Sequence, residues 1–224
     1  MVPVAVLLAA LVSPPHAGCT PQFAPLDTRT SSSASTLPYW RKEQAGDWGG
    51  GGWLGWTHDS KALVSVTMVV RDLPKRRTDD DDNVTVEAVP HVTFAVRCLG
   101  DIQPGTIRTA GVVNHSLTFD GVLRIPLGAR RYEVRLRSRR DDLFDAAVVL
   151  SDGRRTQVLY TADGFADDPH FEVEWAGDLD NDGRLDLIVN LSNKYSLHPH
   201  RLLLSSRAVR DQLVGEATVF ETSD

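Results

Sequence analysis

The chain has 224 residues, 42% of them hydrophobic and 24% charged, an ordinary globular composition with enough apolar content for one sizeable domain. Its formal net charge of −6 argues against a nucleic-acid-binding protein, whose surface has to be basic to neutralise phosphates. The apolar run at 4–12 is far too short to cross a bilayer, so no transmembrane span is expected.

That run is followed by the helix breakers Pro14 and Pro15 and by the small residues Ala17 and Gly18. This is the layout of a secretory signal peptide, although no Lys or Arg precedes the run. Residues 1–18 are therefore expected to be a signal peptide, and the protein to be exported to the periplasm or the extracellular space. "HAGC" at 16–19 resembles the bacterial lipobox, with His16 where that motif has Leu. The resemblance implies a lipid anchor at Cys19, as in a lipoprotein. The only other cysteine is Cys98, so the alternative is a Cys19–Cys98 disulfide formed in an oxidising compartment. Simple export is favoured over lipidation. Residues 19–38 are rich in Ser, Thr and Pro without periodicity and read as a tether. A single folded domain is expected over 39–224.

Beyond the tether the pattern is strand after strand. "ALVSVTMVVRDL" at 62–73 is apolar and β-branched, and 83–99 carries two such runs around Pro90. "LTFDGVLRI" at 117–125 reads as a hairpin turning at Asp120-Gly121. In "RYEVRLRSR" at 131–139, Tyr132, Val134 and Leu136 face one way and Arg131, Glu133, Arg135 and Arg137 the other. Residues 144–161 read as two strands around Asp152-Gly153, and "FEVEWAG", "LDLIVNLS", "HRLLLSS" and "EATVFET" follow at short spacing. The one helical signal is 206–216, ending at Gly215. The expectation is an all-β, mostly antiparallel fold, a sandwich or a partial propeller-like sheet.

Four further features invite a functional reading. Trp48, Trp53 and Trp56 sit in a glycine-rich stretch and could stack on sugar rings, though they read better as plugs at the edge of the core. His198 and His200, two apart, could share a transition metal, but no third ligand has suggestive spacing and the segment is read as a surface turn. "RTDDDDN" at 77–83 reads as a solvated hairpin tip, and the arginine face of 131–140 as one solvated side of a sheet. No nucleophile elbow, His-Glu-x-x-His or Walker loop occurs.

The densest chemistry lies in "GDLDNDGRLDLIV" at 177–189, where Asp178, Asp180, Asp182 and Asp186 occupy positions 1, 3, 5 and 9 of one loop, with Gly183 at position 6. Alternate side chains of a tight loop converge on its inside, and glycine permits the sharp turn. Two carboxylates about 4 Å apart repel by roughly 4 kcal/mol at an effective dielectric near 20, so a shared cation is the natural resolution. Hard oxygen ligands in that number suit Ca²⁺, with the carbonyl of Arg184 at position 7 as a further ligand. Position 12 is Val189, not the bidentate Glu of an EF-hand, and the flanks read as strands. The motif resembles the calcium loop of FG-GAP (integrin α-chain propeller) and VCBS repeats, Asp-x-Asp-x-Asp-Gly-x-x-Asp between two strands. That resemblance implies Asp178, Asp180, Asp182 and Asp186 as side-chain ligands of Ca²⁺ and Arg184 as a carbonyl ligand. The motif occurs once, so a whole propeller is not implied.

The function expected from the sequence is that of an exported, non-enzymatic β protein. It acts as a binding or envelope module for a protein or glycan and is stabilised by one calcium ion. The alternatives are a secreted hydrolase braced by that site and a carbohydrate-binding module using the tryptophan loop.

Overall fold

β-branched runs punctuated by Gly, Asp and Pro fold into antiparallel sheets with hardly any helix. The computed structural model describes residues 19–26, 39–45, 47–57, 61–73, 83–138, 145–162 and 168–223; the expected signal peptide, most of the tether and most of the acidic run lie outside them. The first sheet is built from β1 (Gln22–Pro25), β2 (Tyr39–Arg41), β3 (Gly50–Trp56), β4 (Ala62–Asp72), β5 (Asn83–Val89) and β6 (Phe94–Arg97), in the order β1-β6-β3-β4-β5-β2, with β7 (Gly105–Thr106) beside β4. After β8 (Arg108–Ser116) comes a four-stranded meander of β9 (Val122–Leu127), β10 (Arg130–Arg137), β11 (Ala147–Ser151) and β12 (Thr156–Thr161). β13 (His170–Asp178), β14 (Asp186–Ser192), β15 (Leu197–Leu204) and β16 (Gly215–Ser223) complete a third sheet, ordered β16-β15-β14-β13-β8.

The third sheet is the middle layer. Leu187, Val189 and Leu191 of β14 join Ile125, Leu127, Val134 and Leu150 of the meander in one core. On the opposite face Ile188 joins Trp175 and Leu202 with Trp56, Leu63 and Phe94 of the first sheet in another. Burial of all seven β14 residues explains why "DLIVNLS" lacks the polar alternation of a half-solvated strand. In β10 the alternation is present and works as expected: Tyr132, Val134 and Leu136 are buried while Arg131, Arg135 and Arg137 stay in water.

Several expectations are corrected. Residues 22–25 are not part of a tether: β1 pairs with β6 and buries Phe23 and Ala24, so the folded unit starts ahead of Tyr39. The Asp120-Gly121 turn does not make a hairpin, because Phe119 forms only an isolated parallel bridge to Leu136. The chain reverses instead at Gly128, where φ of +60° suits glycine and Leu127 pairs with Arg130. The helix expected at 206–216 reduces to a single 3₁₀ turn, Ser205–Arg207. By contrast, the favoured reading of Trp48, Trp53 and Trp56 as core plugs holds: all three are buried, with the Arg97 guanidinium 4.6 Å above the Trp53 ring, and offer no sugar platform.

The sulfur that a lipobox would lipidate is joined to Cys98. This disulfide closes 79 residues of sequence and ties the chain ahead of β1 to the end of β6, an oxidised link that points to an exported environment. Among the described residues no helix is long and apolar enough to cross a membrane. A bridge across so long a loop stabilises by about 2–5 kcal/mol. Reduction of the bond, or Cys98→Ser, is therefore expected to lower the melting temperature by several degrees; an unchanged melting curve in reductant would show that β1 holds without it.

Candidate metal centre

β13 and β14 run antiparallel and are joined by the aspartate loop, with Gly177 paired to Asp186 at its base. The base is tight: a Cβ on Gly177 would sit 2.5 Å from both the Arg108 carbonyl oxygen and the Trp175 ring. Only glycine lets β8, Trp175 and the loop approach so closely. Within the loop Asn181 and Gly183 adopt left-handed φ of +60° and +79°. These residues turn the chain sharply enough for the first and last aspartates to meet.

Asp186 is the anchor. It has no solvent exposure, and both its oxygens are held by backbone N–H groups, Oδ2 by Leu179 at 2.6 Å and Oδ1 by Ser205 at 2.8 Å. One carboxylate thus pins the start of the loop to the end of β15. Asp178 is also buried; its Oδ2 accepts from the Gly183 N–H at 3.1 Å while its Oδ1 is buried without a partner. Asp180 accepts from the Asp182 N–H through Oδ1 at 3.2 Å and leaves a buried Oδ2 unpartnered. The three side chains offer ligand oxygens that all lie within 4.8 Å of one another, so this acidic cluster could hold a metal ion.

Asp182 is turned out of that group. Its Oδ1 accepts from the Arg184 N–H at 2.8 Å, and its Oδ2 accepts from Arg184 Nε at 2.9 Å and from the Ser205 hydroxyl at 2.5 Å. The loop's alternate spacing placed Asp182 among the inward ligands; instead the guanidinium two residues on holds its carboxylate. The side chain of Arg184, a residue expected as a carbonyl ligand, is the counter-ion of Asp182.

Electrostatics separate the four acids. Burial pushes the Asp186 carboxyl up to about 8; the Asp180 and Asp182 charges add to the rise and the two N–H donors oppose it. Burial also raises Asp178 and Asp180, with neighbouring carboxylates adding, while the Gly183 N–H and the Ser206 hydroxyl respectively pull them back. At Asp182 burial is outweighed by Ser205 and Arg184, which hold it below the usual carboxylate range. Ser205 and Ser206 are the site residues that sequence reasoning missed. They follow "HRLLL" as an ordinary end of a strand and carry no signal of their own.

No protein-family model, curated protein or solved structure matches the chain. Its site is defined by its own geometry alone.

The raised Asp186 value has a consequence for stability in the presence of a chelator. The folded form binds this proton more tightly than the unfolded chain, so the stabilisation is complete below pH 4, declines as pH rises, and is gone above pH 8. Thermal melts in chelator are expected to show falling stability between pH 5 and pH 8, a slope that Asp186→Asn flattens. A wild-type slope unaltered by that substitution would mean that Asp186 titrates normally.

Proposed function

We propose that the Asp178–Asp186 loop is an FG-GAP-type Ca²⁺ site, and that the ion fastens the middle sheet of an exported, non-enzymatic β protein serving as a binding or envelope module. The observation that carries the reading is the pair of buried, unpartnered oxygens, Asp178 Oδ1 and Asp180 Oδ2, beside fully buried Asp186. Each buried polar atom left without a partner costs about 1–3 kcal/mol, more for a charged one, and a cation removes that cost while screening three mutually repelling carboxylates. All the donors are hard oxygens, which selects Ca²⁺ over the softer transition metals. The Arg184 carbonyl adds a further oxygen. Asp182 joins when the ion displaces the Arg184 guanidinium from it. The disulfide supports export, and calcium outside the cell is abundant enough to fill even a weak site.

At free calcium ten times the dissociation constant, binding adds about 1.4 kcal/mol, or some 3–5 °C in melting temperature for a domain of this size. The test is a pair of melts, in calcium and in chelator, on wild type and Asp180→Asn. The proposal expects the rise in wild type only; equal melting temperatures in the two buffers for wild type would refute it. Arg184→Ala is expected to tighten calcium binding several-fold by freeing Asp182 and removing a nearby positive charge. Weaker binding in that variant would contradict the competition between guanidinium and ion.

A further inference from the structure

The face of the middle sheet that turns toward the first sheet is apolar only in part. Trp175, Ile188 and Leu202 form its greasy belt, with the aspartate loop at one end. Beyond the belt at the other end, the register places Glu172, Asn190 and His200 side by side on β13, β14 and β15. Around this row stand His170, His198 and Glu174. The rings of His170 and His198 are 4.8 Å apart between centroids. His200 Nδ1 meets Glu174 Oε1 at 2.7 Å, both side chains being largely buried. Asn190 is 5% exposed, with Nδ2 3.5 Å from His198 Nδ1 and Oδ1 buried without a partner. The segment of His198 and His200, read from sequence as a surface turn, is a strand packed in the sheet.

Two details give this patch a chemistry. Glu174 accepts the Nδ1–H of His200, which sets the tautomer whose Nε2 carries the lone pair. A carboxylate behind an imidazole in this way is the usual outer shell of a metal-binding histidine. Asn190 can play the same part for His198: rotating its amide by 180° brings Oδ1 against His198 Nδ1 and gives that oxygen the partner it lacks. The Glu172 carboxyl is raised by burial and by Glu174, and is lowered by His170 and His200, so it lies within electrostatic reach of both imidazoles.

We propose that His170, His198, His200 and Glu172 form a second cation site, selective for a borderline transition metal of the Zn²⁺ class and independent of the calcium loop. Imidazole nitrogen suits zinc as carboxylate oxygen suits calcium, so the two ends of one sheet face take different ions. Among the described residues only the loop aspartates already bring three such ligand atoms within 4.8 Å of one another; the half-buried imidazoles and Glu172 close on the ion by rotamer change. Glu174 and Asn190 are positioning residues.

The experiment titrates Zn²⁺ into the untagged full chain with calcium in excess. One tightly bound Zn²⁺ is expected, and Co²⁺ in its place should give the intense visible bands of a four-coordinate nitrogen and oxygen site. Glu174→Gln is expected to weaken zinc about 10–100-fold, the usual effect of removing an outer-shell carboxylate. His200→Ala should cost at least as much, and Asp180→Asn should change nothing. Should the histidine variants fail to fold, imidazole ¹⁵N shifts of the wild-type protein carry the test, with His170, His198 and His200 moving together up to one equivalent. No zinc binding in wild type, shifts confined to other histidines, or affinity lost with Asp180→Asn and kept in Glu174→Gln would each overturn the proposal. A failed calcium titration would leave this result standing, since the two sites share no ligand.

Discussion

Everything near the site depends on one costly act, the burial of the Asp186 carboxylate between sheets. Its two oxygens receive the N–H groups of Leu179 and Ser205, so a single side chain gathers the loop, the first residue of β14 and the end of β15. β14 is in turn the strand whose two faces supply both neighbouring cores. An acid so placed has to be protonated or matched by positive charge. Among the described residues no guanidinium bonds Asp186: Arg184 reaches it only through its field and is hydrogen-bonded to Asp182. The cation reading follows from that bookkeeping of charge rather than from the aspartate count alone.

The fold is fastened twice, by different chemistry. The Cys19–Cys98 disulfide secures the N-terminal strand to the first sheet, and it stabilises chiefly by constraining the unfolded chain. The aspartate loop is tied to the middle sheet through Asp186, and the proposed cation would neutralise its charge. On the proposed calcium reading, the protein would be most stable where calcium and oxidant are both plentiful and weaker where either is scarce. This matches the export that the first residues suggest.

Much of the fold was legible in the sequence because side-chain period is a local property. The alternation of Tyr132, Val134 and Leu136 and the unbroken apolar run of 187–189 each announced their burial. Sheet assignment was not legible, since pairing partners are distant: β1 lies beside β6, about 70 residues on, and its Ser- and Pro-rich surroundings masked it. The three tryptophans were legible as core plugs because large aromatic rings favour burial even in a glycine-rich stretch; Arg97 and the neighbouring strands cover them. Within the loop, spacing located Asp178, Asp180 and Asp186 but overlooked that Arg184 could capture Asp182. The histidine patch was missed for a similar reason. In sequence His198 and His200 stand apart from His170 and Glu172, and only the pairing of β13, β14 and β15 places all four on one sheet face.

The central claim is that the buried loop carboxylates are ligands of a hard cation, and Tb³⁺ luminescence tests it most directly. Tb³⁺ substitutes for Ca²⁺, and Trp175, packed against Gly177 at the foot of the loop, is placed to sensitise it. The account predicts tryptophan-excited terbium emission that saturates at one equivalent, is displaced by calcium and is absent in Asp180→Asn. Emission no stronger than that of free terbium, or emission indifferent to calcium and to Asp180, would contradict it.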